Sequence, residues 1–394
     1  MQYRLDQKSG NKLSVLGFGC MRLPGAMGRI DLQKSEALIM DAISKGVNFF
    51  DTAYLYPGSE AALGSVLDKN KLRAQVYVAT KLPLFKCHSA DDFDRLFGEQ
   101  LKRLKTTYID YYFMHNICTF ADWQRLCGLG IEQWIADKKA AGQIKQAGFS
   151  FHGAREDFFK VTDAYDWDFC MIQYNYINTH FQAGAAGLRY ASAKGMPVFI
   201  MEPLLGGRLV KDLPEKAVTL LKQNSPEVSP AAWALRWVWN QPEVTLLLSG
   251  MSEPAQVAEN TALAAQSKAG GMTAEELAVI AQVADVFSAS YKIPCTGCNY
   301  CLPCPKNINI PDSFMAYNAS YSIGRVAGLK QYATTTGGFT PSFSAANCIQ
   351  CGKCEARCPQ HIAIAARLSD VRKRLEPFWY RVALAMVRKV MSRH

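Results

Sequence analysis

Short apolar runs alternate with longer segments in which apolar residues recur every three or four positions, through about the first 285 residues. The longer segments include DLQKSEALIMDAISKG and DWQRLCGLGIEQWIADKKAAG. Continuous apolar strands that alternate with helices are typical of a parallel sheet covered on both faces. The eight apolar runs are SVLGFG (14–19), VNFF (47–50), VYVAT (76–80), IDYYFM (109–114), IKQAGFS (144–150), FCMIQY (169–174), PVFIM (197–201) and VTLLLS (244–249).

Eight strand–helix units of this length predict an α/β fold of the (β/α)8 TIM barrel type. An open, doubly wound sheet is the alternative, but no GxGxxG fingerprint follows the first run. In TIM barrels, chemistry takes place where the strands end. Polar side chains lie at those ends here: Asp51, Lys81, His115, Ser150, Gln173, Glu202 and Ser249, with Tyr56 on the loop after Asp51.

The chain resembles the aldo-keto reductase family in the segments YRLDQKSGNKLSVLGFGCMRLP, FFDTAYLYPGSE, VYVATKLP, IDYYFMHN, QAGFS, IQYN and PEVTLLLSGMSEPAQVAEN. The resemblance implies a catalytic tetrad of Asp51, Tyr56, Lys81 and His115. A tyrosine can give a proton to a developing alkoxide, a lysine can stabilise the tyrosinate, and an aspartate can hold the lysine. A histidine can polarise the carbonyl oxygen. Tyr54 competes for the acid role, and the register of the motif favours Tyr56.

The resemblance also implies a nicotinamide coenzyme, NADPH or NADH. Ser150 and Gln173 match positions that hold the carboxamide. The chain departs from the family at Phe151, where an Asn is usual, and at Met201 and Glu202, where a stacking Tyr and a Ser are usual. These departures point to an additional or altered cofactor, and no motif identifies it as a flavin. By the same resemblance, the segment that binds the adenosine end of the coenzyme contains Gly250, Ser252, Gln256, Glu259 and Asn260. Gln256 is neutral, and many relatives carry an Arg at this position.

Eight of the thirteen cysteines form two motifs, CTGCNYCLPCP and CIQCGKCEARCP. The second has the spacing of bacterial [4Fe-4S] ferredoxins, in which the fourth cysteine binds the other cluster. The first is one residue shorter before its last cysteine. The spacing predicts two [4Fe-4S] clusters, and a pair of zinc sites is the rival interpretation. The predicted ligand sets are Cys295, Cys298, Cys301 and Cys358, and Cys348, Cys351, Cys354 and Cys304.

The region that carries the motifs is similar to the C-terminal module of an iron–sulfur subgroup of aldo-keto reductases. The helix-like stretch DSFMAYNASYSIGRVAGLKQYA lies between the motifs. We therefore expect a smaller, mostly helical ferredoxin-like domain after the barrel. The predicted divisions are 1–288 for the barrel, 289–370 for the ferredoxin-type domain and 371–394 for a basic amphipathic helix.

The net charge of +10 is concentrated at the C-terminus, where residues 371–394 contain seven Lys or Arg and one acid. No nucleic-acid motif accompanies it, so we expect no nucleic-acid binding. The final helix, with apolar Trp379, Val382, Met386 and Val390, could contact an anionic membrane or an acidic redox partner. Packing on its own barrel is the favoured interpretation. The N-terminus lacks an apolar signal segment, and we expect a cytoplasmic protein.

These features predict an oxidoreductase that interconverts a small-molecule carbonyl and alcohol, with Tyr56 as proton donor and electron transfer through two [4Fe-4S] clusters. Two alternatives stay open. The barrel could be a scaffold in an electron-transfer protein, or the clusters could be purely structural. Hydride transfer moves two electrons together and each cluster carries one, so coupling needs a converter that the sequence does not identify.

Overall fold

Eight parallel strands close into a barrel in the computed structural model, which describes residues 1–26, 29–335 and 344–382. Each strand pairs with its neighbours in sequence, and the last pairs back with the first, Leu247 lying opposite Leu16. The predicted (β/α)8 barrel is confirmed. The strands are β1 Leu16–Gly19, β2 Phe49–Asp51, β3 Tyr77–Pro83, β4 Ile109–Ile117, β5 Ile144–Phe151, β6 Phe169–Gln173, β7 Val198–Met201 and β8 Val244–Ser249.

Aromatic side chains fill the interior of the barrel. Phe49, Tyr111, Phe169 and Phe199 are fully buried, and the rings of Phe169 and Phe199 stack with centroids 5.1 Å apart. A hairpin of Tyr3–Leu5 and Lys12–Ser14 precedes β1, and at its turn Asp6 accepts a 2.8 Å hydrogen bond from the Tyr111 hydroxyl. Because Tyr111 lies in the first half of β4, the hairpin packs at the amino end of the strands. The opposite end of the barrel, at the carboxyl ends of the strands, is where the active sites of TIM barrels lie.

Some helices begin at a residue whose side chain caps the first turn. The Asp31 side chain accepts the Lys34 backbone N–H at the start of α1, and Thr119 and Asp122 form a capping box on α4. The helices are α1 Leu32–Ser44, α2 Ser59–Lys69, α3 Asp91–Leu104, α4 Phe120–Gly128, α5 Ile131–Ala140, α6 Arg155–Asp163, α7 Gly184–Ala193, α8 Arg208–Lys211, α9 Glu215–Asn224, α10 Pro230–Trp239, α11 Pro254–Gln266, α12 Ala274–Ser290, α13 Ile310–Ser322, α14 Arg325–Thr335 and α15 Ile364–Leu375.

Two long stretches of helical period are each divided by a glycine. The stretch DWQRLCGLGIEQWIADKKAAG forms α4 and α5, separated at Gly130, whose φ of 85° is in the left-handed region. The stretch between the cysteine motifs forms α13 and α14, separated at Gly324 with a φ of 104°. A residue with a Cβ is strained in this conformation, so glycine fixes both breaks.

The chain separates into two compact units. The first contains Met1–Pro203 and Ala232–Thr273, and the second contains Leu204–Ala231 together with the chain from Ala274 onward. The second unit thus includes a segment, 204–231, from within the range predicted for the barrel. The predicted boundaries at 288 and 370 remain predictions. Among the described residues, no helix is long and apolar enough to cross a membrane.

The C-terminal unit is small and mostly helical, as predicted, with a core formed by α13, α14 and α15. Buried Glu376 accepts hydrogen bonds of 2.7 Å from the hydroxyls of Tyr332 and Ser344, which joins three segments of this core. Beyond α15, Trp379 is 60% exposed. Of the predicted basic C-terminal helix, residues 383–394, including Met386 and Val390, lie outside the described part. Its docking hypotheses therefore stay predictions.

Candidate active site and cysteine-lined cavities

Asp51 and Lys81 form a buried ion pair at the carboxyl ends of β2 and β3. The Lys81 ammonium donates to Asp51 Oδ1 and also to the Thr52 carbonyl, at 2.7 Å. Lys81 is 1% exposed and Asp51 is 4% exposed. A buried lysine needs a carboxylate and a further acceptor to offset the loss of hydration. Both are present, so the position of the Lys81 ammonium is closely fixed.

Tyr56 and His115 face the same ammonium. Lys81 Nζ lies 5.2 Å from the centroid of the Tyr56 ring. The His115 ring meets the Tyr56 ring edge-on, with centroids 6.1 Å apart and planes at 87°. The structure thus brings all four residues of the predicted tetrad to one end of the barrel. Tyr56 is half-buried, which leaves part of its side chain accessible.

Burial shifts the pKa values of two of the titratable groups at the site, Lys81 and His115. Burial lowers the pKa of the Lys81 ammonium, and the Asp51 carboxylate opposes that shift. Burial and then the positive charge of Lys81 hold the pKa of His115 well below its usual value, with a further contribution from His152. His115 is therefore a neutral imidazole at neutral pH, suited to polarising a substrate oxygen rather than to carrying charge.

Tyr54, the competing candidate for the acid, belongs to a different hydrogen-bond network. Its hydroxyl donates to Glu99 Oε2 at 2.8 Å, and the Arg103 guanidinium lies over its ring, 4.3 Å from the centroid. Both partners lie on α3. Burial and then the bond to Glu99 raise the pKa of Tyr54, which makes it a poorer proton donor. This arrangement agrees with the choice of Tyr56 from the register of the motif.

Sequence reasoning missed a buried polar network behind Lys81. Gln100 on α3 donates at 3.0 Å to the Lys81 carbonyl and at 2.9 Å to Glu60 Oε1, and it accepts from the Tyr112 hydroxyl at 2.7 Å. Glu60 also accepts from Thr80 at 2.6 Å. These residues lie on helices or at ordinary strand positions, so no motif could have revealed them. They fix the backbone that carries the lysine.

Ser150 and Gln173 end neighbouring strands, β5 and β6, and are buried to 2% and 1% exposure. Ser150 Oγ accepts the backbone N–H of Asn116 at 2.8 Å, which orients the hydroxyl at the barrel mouth. Two buried polar side chains at adjacent strand ends fit the amide group of a nicotinamide, which offers both donors and acceptors.

The predicted adenosine segment follows β8 and enters α11. Asn260 donates to Ser249 Oγ at 3.1 Å, and Gln256 Oε1 accepts the backbone N–H of Ser252 at 2.8 Å. The side-chain oxygen of Gln256 thus supports the loop. Gly250 and Glu259 are exposed beside them. These residues are close enough to form one binding surface, and Gln256 brings no positive charge to it.

The backbone at the end of β7 has an unusual conformation. Glu202, directly after β7, has a φ of 55°, a conformation that costs energy for a residue with a Cβ. Its carbonyl accepts from the Asn175 side chain at 3.1 Å, and Asn175 Oδ1 in turn accepts the backbone N–H of Ile177. This local network holds Glu202 in place directly after β7.

The eight motif cysteines line two cavities in the C-terminal unit. One is bordered by Cys295, Cys298 and Cys301 of the first motif and by Cys358 of the second. The other, of about 260 Å³, is bordered by Cys348, Cys351, Cys354 and Cys304, and Cys301 reaches it as well. Among the described residues, no three Cys, His, Asp or Glu side chains converge closely enough to hold a single metal ion. The thiolates of a [4Fe-4S] cluster stand around a larger inorganic core.

Side chains from other segments support the first cysteine loop. Arg208 on α8 is buried; its Nε donates to the Cys295 carbonyl at 3.1 Å, and it pairs with Asp212 at 2.6 Å. The Tyr291 hydroxyl donates to the same carbonyl. Asn318 on α13 exchanges two hydrogen bonds with the backbone of Ile293. Arg208 lies outside the motifs, and sequence reasoning had no signal for its role.

Comparison with known proteins identifies both parts of the chain. The sequence model described as "Aldo/keto reductase family" matches residues 15–283, and that described as "4Fe-4S dicluster domain" matches residues 294–363. L-galactose dehydrogenase of Arabidopsis thaliana is 26% identical over 303 residues, covering 71% of this chain and 93% of its own. A probable aldo-keto reductase of Glycine max is 34% identical over 155 residues, covering 36% and 42%.

A solved aldo-keto reductase from Bacillus halodurans, in its holo form, has a TM-score of 0.60 and 24% identity, covering 72% of this chain and 96% of its own. This likeness shows the fold. The family match spans all eight strands of the barrel, so the chain belongs to the aldo/keto reductase family of oxidoreductases and continues into a 4Fe-4S dicluster domain.

Proposed function

We propose that the barrel interconverts a small-molecule carbonyl and an alcohol, with Tyr56 as the proton donor. The observation that carries this proposal is the buried Lys81 ammonium, fixed by Asp51 and lying 5.2 Å from the Tyr56 ring centroid. As negative charge develops on the substrate oxygen, the Tyr56 hydroxyl gives its proton to that oxygen. The fixed positive charge stabilises the phenolate that remains.

His115 positions the reacting oxygen in this proposal. As a neutral imidazole set edge-on to Tyr56, it can donate one hydrogen bond without bringing a competing proton to the site. The aromatic interior below the site excludes water from the amino side of the barrel. Both features strengthen electrostatic stabilisation of the developing charge, because they keep the local dielectric low.

A nicotinamide coenzyme would supply or accept the hydride. Ser150 and Gln173 would hold its carboxamide, and Gly250, Ser252, Gln256, Glu259 and Asn260 would contact its adenosine end. The burial of the first pair at adjacent strand ends supports this assignment. Because Gln256 lacks the charge that a 2′-phosphate needs, both NADPH and NADH are candidate coenzymes.

The C-terminal unit is proposed to hold two [4Fe-4S] clusters, which would each carry one electron at a time. Cys295, Cys298, Cys301 and Cys358 would bind one cluster, and Cys348, Cys351, Cys354 and Cys304 the other. Two cavities support the assignment, because cysteines of both motifs border each of them. The first has three cysteines of the first motif and Cys358, and the second has three cysteines of the second motif with Cys304 and Cys301. We assign the clusters to electron exchange with a redox partner protein.

The decisive experiment replaces Tyr56 by Phe and uses Tyr54→Phe as the matched control. We expect Tyr56→Phe to lose about 10²- to 10⁴-fold in aldehyde turnover, because the acid is removed. Tyr54→Phe breaks only the bond to Glu99 and should retain turnover. Iron content and nucleotide binding should be unchanged in both variants. Equal activity of the two variants would contradict the acid assignment, and no turnover in the wild type would favour a scaffold role for the barrel.

A further inference from the structure

The two cysteine-lined cavities differ in their exposure to solvent. Around the first, Thr296, Phe314, Gln360 and Ile362 are all buried. Around the second, Cys351 is exposed and Ile349 is 57% exposed. Electrons tunnel over short distances, so the cluster with an exposed ligand loop is the one that a large partner can approach.

Positive side chains border the exposed cavity. Lys306, Lys353 and Arg357 line it and are exposed, and we call these three residues the basic rim. Within the described part of the chain, none of the three forms an ion pair with an acid. The nearby acid, Glu355, uses Oε1 to accept the backbone N–H of Ala365 at 2.8 Å. The charge of the rim is therefore directed to solvent.

The rim also holds most of the positive charge of its domain. Residues 294–363 contain five basic and two acidic side chains. The basic side chains are Lys306, Arg325, Lys330, Lys353 and Arg357. Three of the five are thus concentrated at one cavity. A local patch of one sign accelerates encounters with a partner of the opposite sign and orients it before contact.

We propose that the basic rim, together with the exposed Ile349 that lines the same cavity, docks an acidic one-electron carrier protein. The proposal rests on the proposed function, which assigns a cluster to Cys348, Cys351, Cys354 and Cys304. In each encounter one electron leaves the reduced carrier and enters that cluster. No covalent bond forms or breaks, and no proton moves. An exposed apolar side chain that shares a surface with several charged ones is typical of a small transient interface, in which charge sets the encounter rate.

The test uses the full-length protein with its clusters and a reduced, acidic ferredoxin as the probe. Anaerobic stopped-flow absorbance follows the bleaching of the clusters at several salt concentrations. The double variant Lys306→Glu/Lys353→Glu reverses the rim. The control Lys102→Glu/Lys222→Glu makes the same charge change on exposed positions of α3 and α9.

We expect the second-order rate constant of the rim variant to fall by about tenfold or more at low salt. The control variant should stay within about twofold of the wild type, because neither position borders the exposed cavity. The difference between rim variant and wild type should shrink as salt is added, since screening removes the attraction that the variant lacks.

Equal rates for the rim and control variants, with both clusters fully reducible by dithionite, would overturn the docking surface and leave the clusters in place. Absence of iron and sulfide, or failure of dithionite to bleach the protein, would instead overturn the proposed function. If phosphatidylserine vesicles sedimented the wild type but not the rim variant, and the electron-transfer rates were equal, the rim would be a membrane contact and the proposal wrong.

Discussion

Lys81 shows how much of this site depends on one buried charge. Its ammonium bonds to Asp51 and to the Thr52 carbonyl, and Gln100 fixes its own carbonyl from α3. Removing one member of a buried pair leaves the other without compensation, which costs more than the pair contributes. The position is therefore under structural constraint in addition to its proposed catalytic role.

Lys81→Met should lower the free energy of unfolding by about 3–5 kcal/mol, because Asp51 stays buried without a partner. Turnover should be lost with it. The double variant Lys81→Met/Asp51→Leu should recover most of the stability and none of the turnover. Anaerobic urea unfolding, followed by far-ultraviolet circular dichroism, measures both variants. A single variant as stable as the wild type would show that the pair is not buried in solution.

His115 predicts a pH dependence of stability. Its pKa in the folded protein is well below the usual 6.5, so below pH 6.5 the unfolded chain binds a proton that the folded state does not. Stability should therefore fall on acidification, by up to about 1.4 kcal/mol per pH unit from this group. The unfolding midpoint of His115→Gln should fall less steeply from pH 7 to pH 5. Parallel pH curves for wild type and variant would refute the neutral assignment.

Gln256 predicts weak discrimination between coenzymes. Its side-chain oxygen accepts the Ser252 N–H and carries no charge. Gln256→Arg should raise the ratio of kcat/KM for NADPH to that for NADH by about 10- to 100-fold, since a hydrogen bond to a charged group contributes about 1.5–3 kcal/mol. Gln256→Ala is the control and should leave the ratio near the wild-type value. An unchanged ratio in the arginine variant would place the 2′-phosphate elsewhere.

At the scale of elements, cysteines of both motifs border each of the two cavities. Cys358 of the second motif lines the cavity of the first, and Cys304 of the first lines the cavity of the second. The loops can meet in this way because α13, α14 and α15 pack into one core between them. Each motif therefore depends on the other.

Paired cysteine substitutions test whether each cluster is bound by cysteines of both motifs. Cys358→Ser with Cys298→Ser should remove one cluster, leaving about four of about eight iron atoms per chain. Cys358→Ser with Cys351→Ser should remove both clusters, because the two changes fall in different sets. Anaerobic iron and sulfide analysis distinguishes the two variants. If the results were exchanged, each motif would bind its own cluster.

At the scale of the whole molecule, the proposed function places a two-electron site in one compact unit and two one-electron clusters in the other. Hydride transfer moves an electron pair, so the clusters cannot simply feed nicotinamide. The departures at Met201 and Glu202 lie in the barrel, where a converting cofactor would have to bind.

In the absence of an added cofactor that splits a hydride into single electrons, NADPH or NADH should be consumed only when an aldehyde is present. The cluster absorbance should then not change. Anaerobic visible and EPR titration of the purified protein, with and without a panel of aldehydes, checks this expectation. A reduced-cluster signal on adding nucleotide alone would contradict it. A converter would then have to be sought in the barrel.

The sequence was sufficient to predict the strand–helix alternation, because strands buried on both faces must be continuously apolar and helices covering them must be amphipathic. It also located Asp51, Lys81 and His115, since polar residues at the ends of buried strands stand out against that pattern. The cysteine motifs could also be recognised in the sequence, because cluster ligation constrains the spacing of cysteines along a loop.

Tertiary packing determines which side chains surround these residues. It directed Tyr54 to Glu99 and Tyr56 to Lys81, although the two tyrosines are two positions apart. It brought Gln100 to the Lys81 carbonyl and Arg208 to Cys295, and it left the second cysteine loop exposed. These contacts join residues far apart in the chain. A local sequence pattern predicts how buried a residue is within its own helix or strand. Its hydrogen-bond and packing partners depend on how the elements pack together.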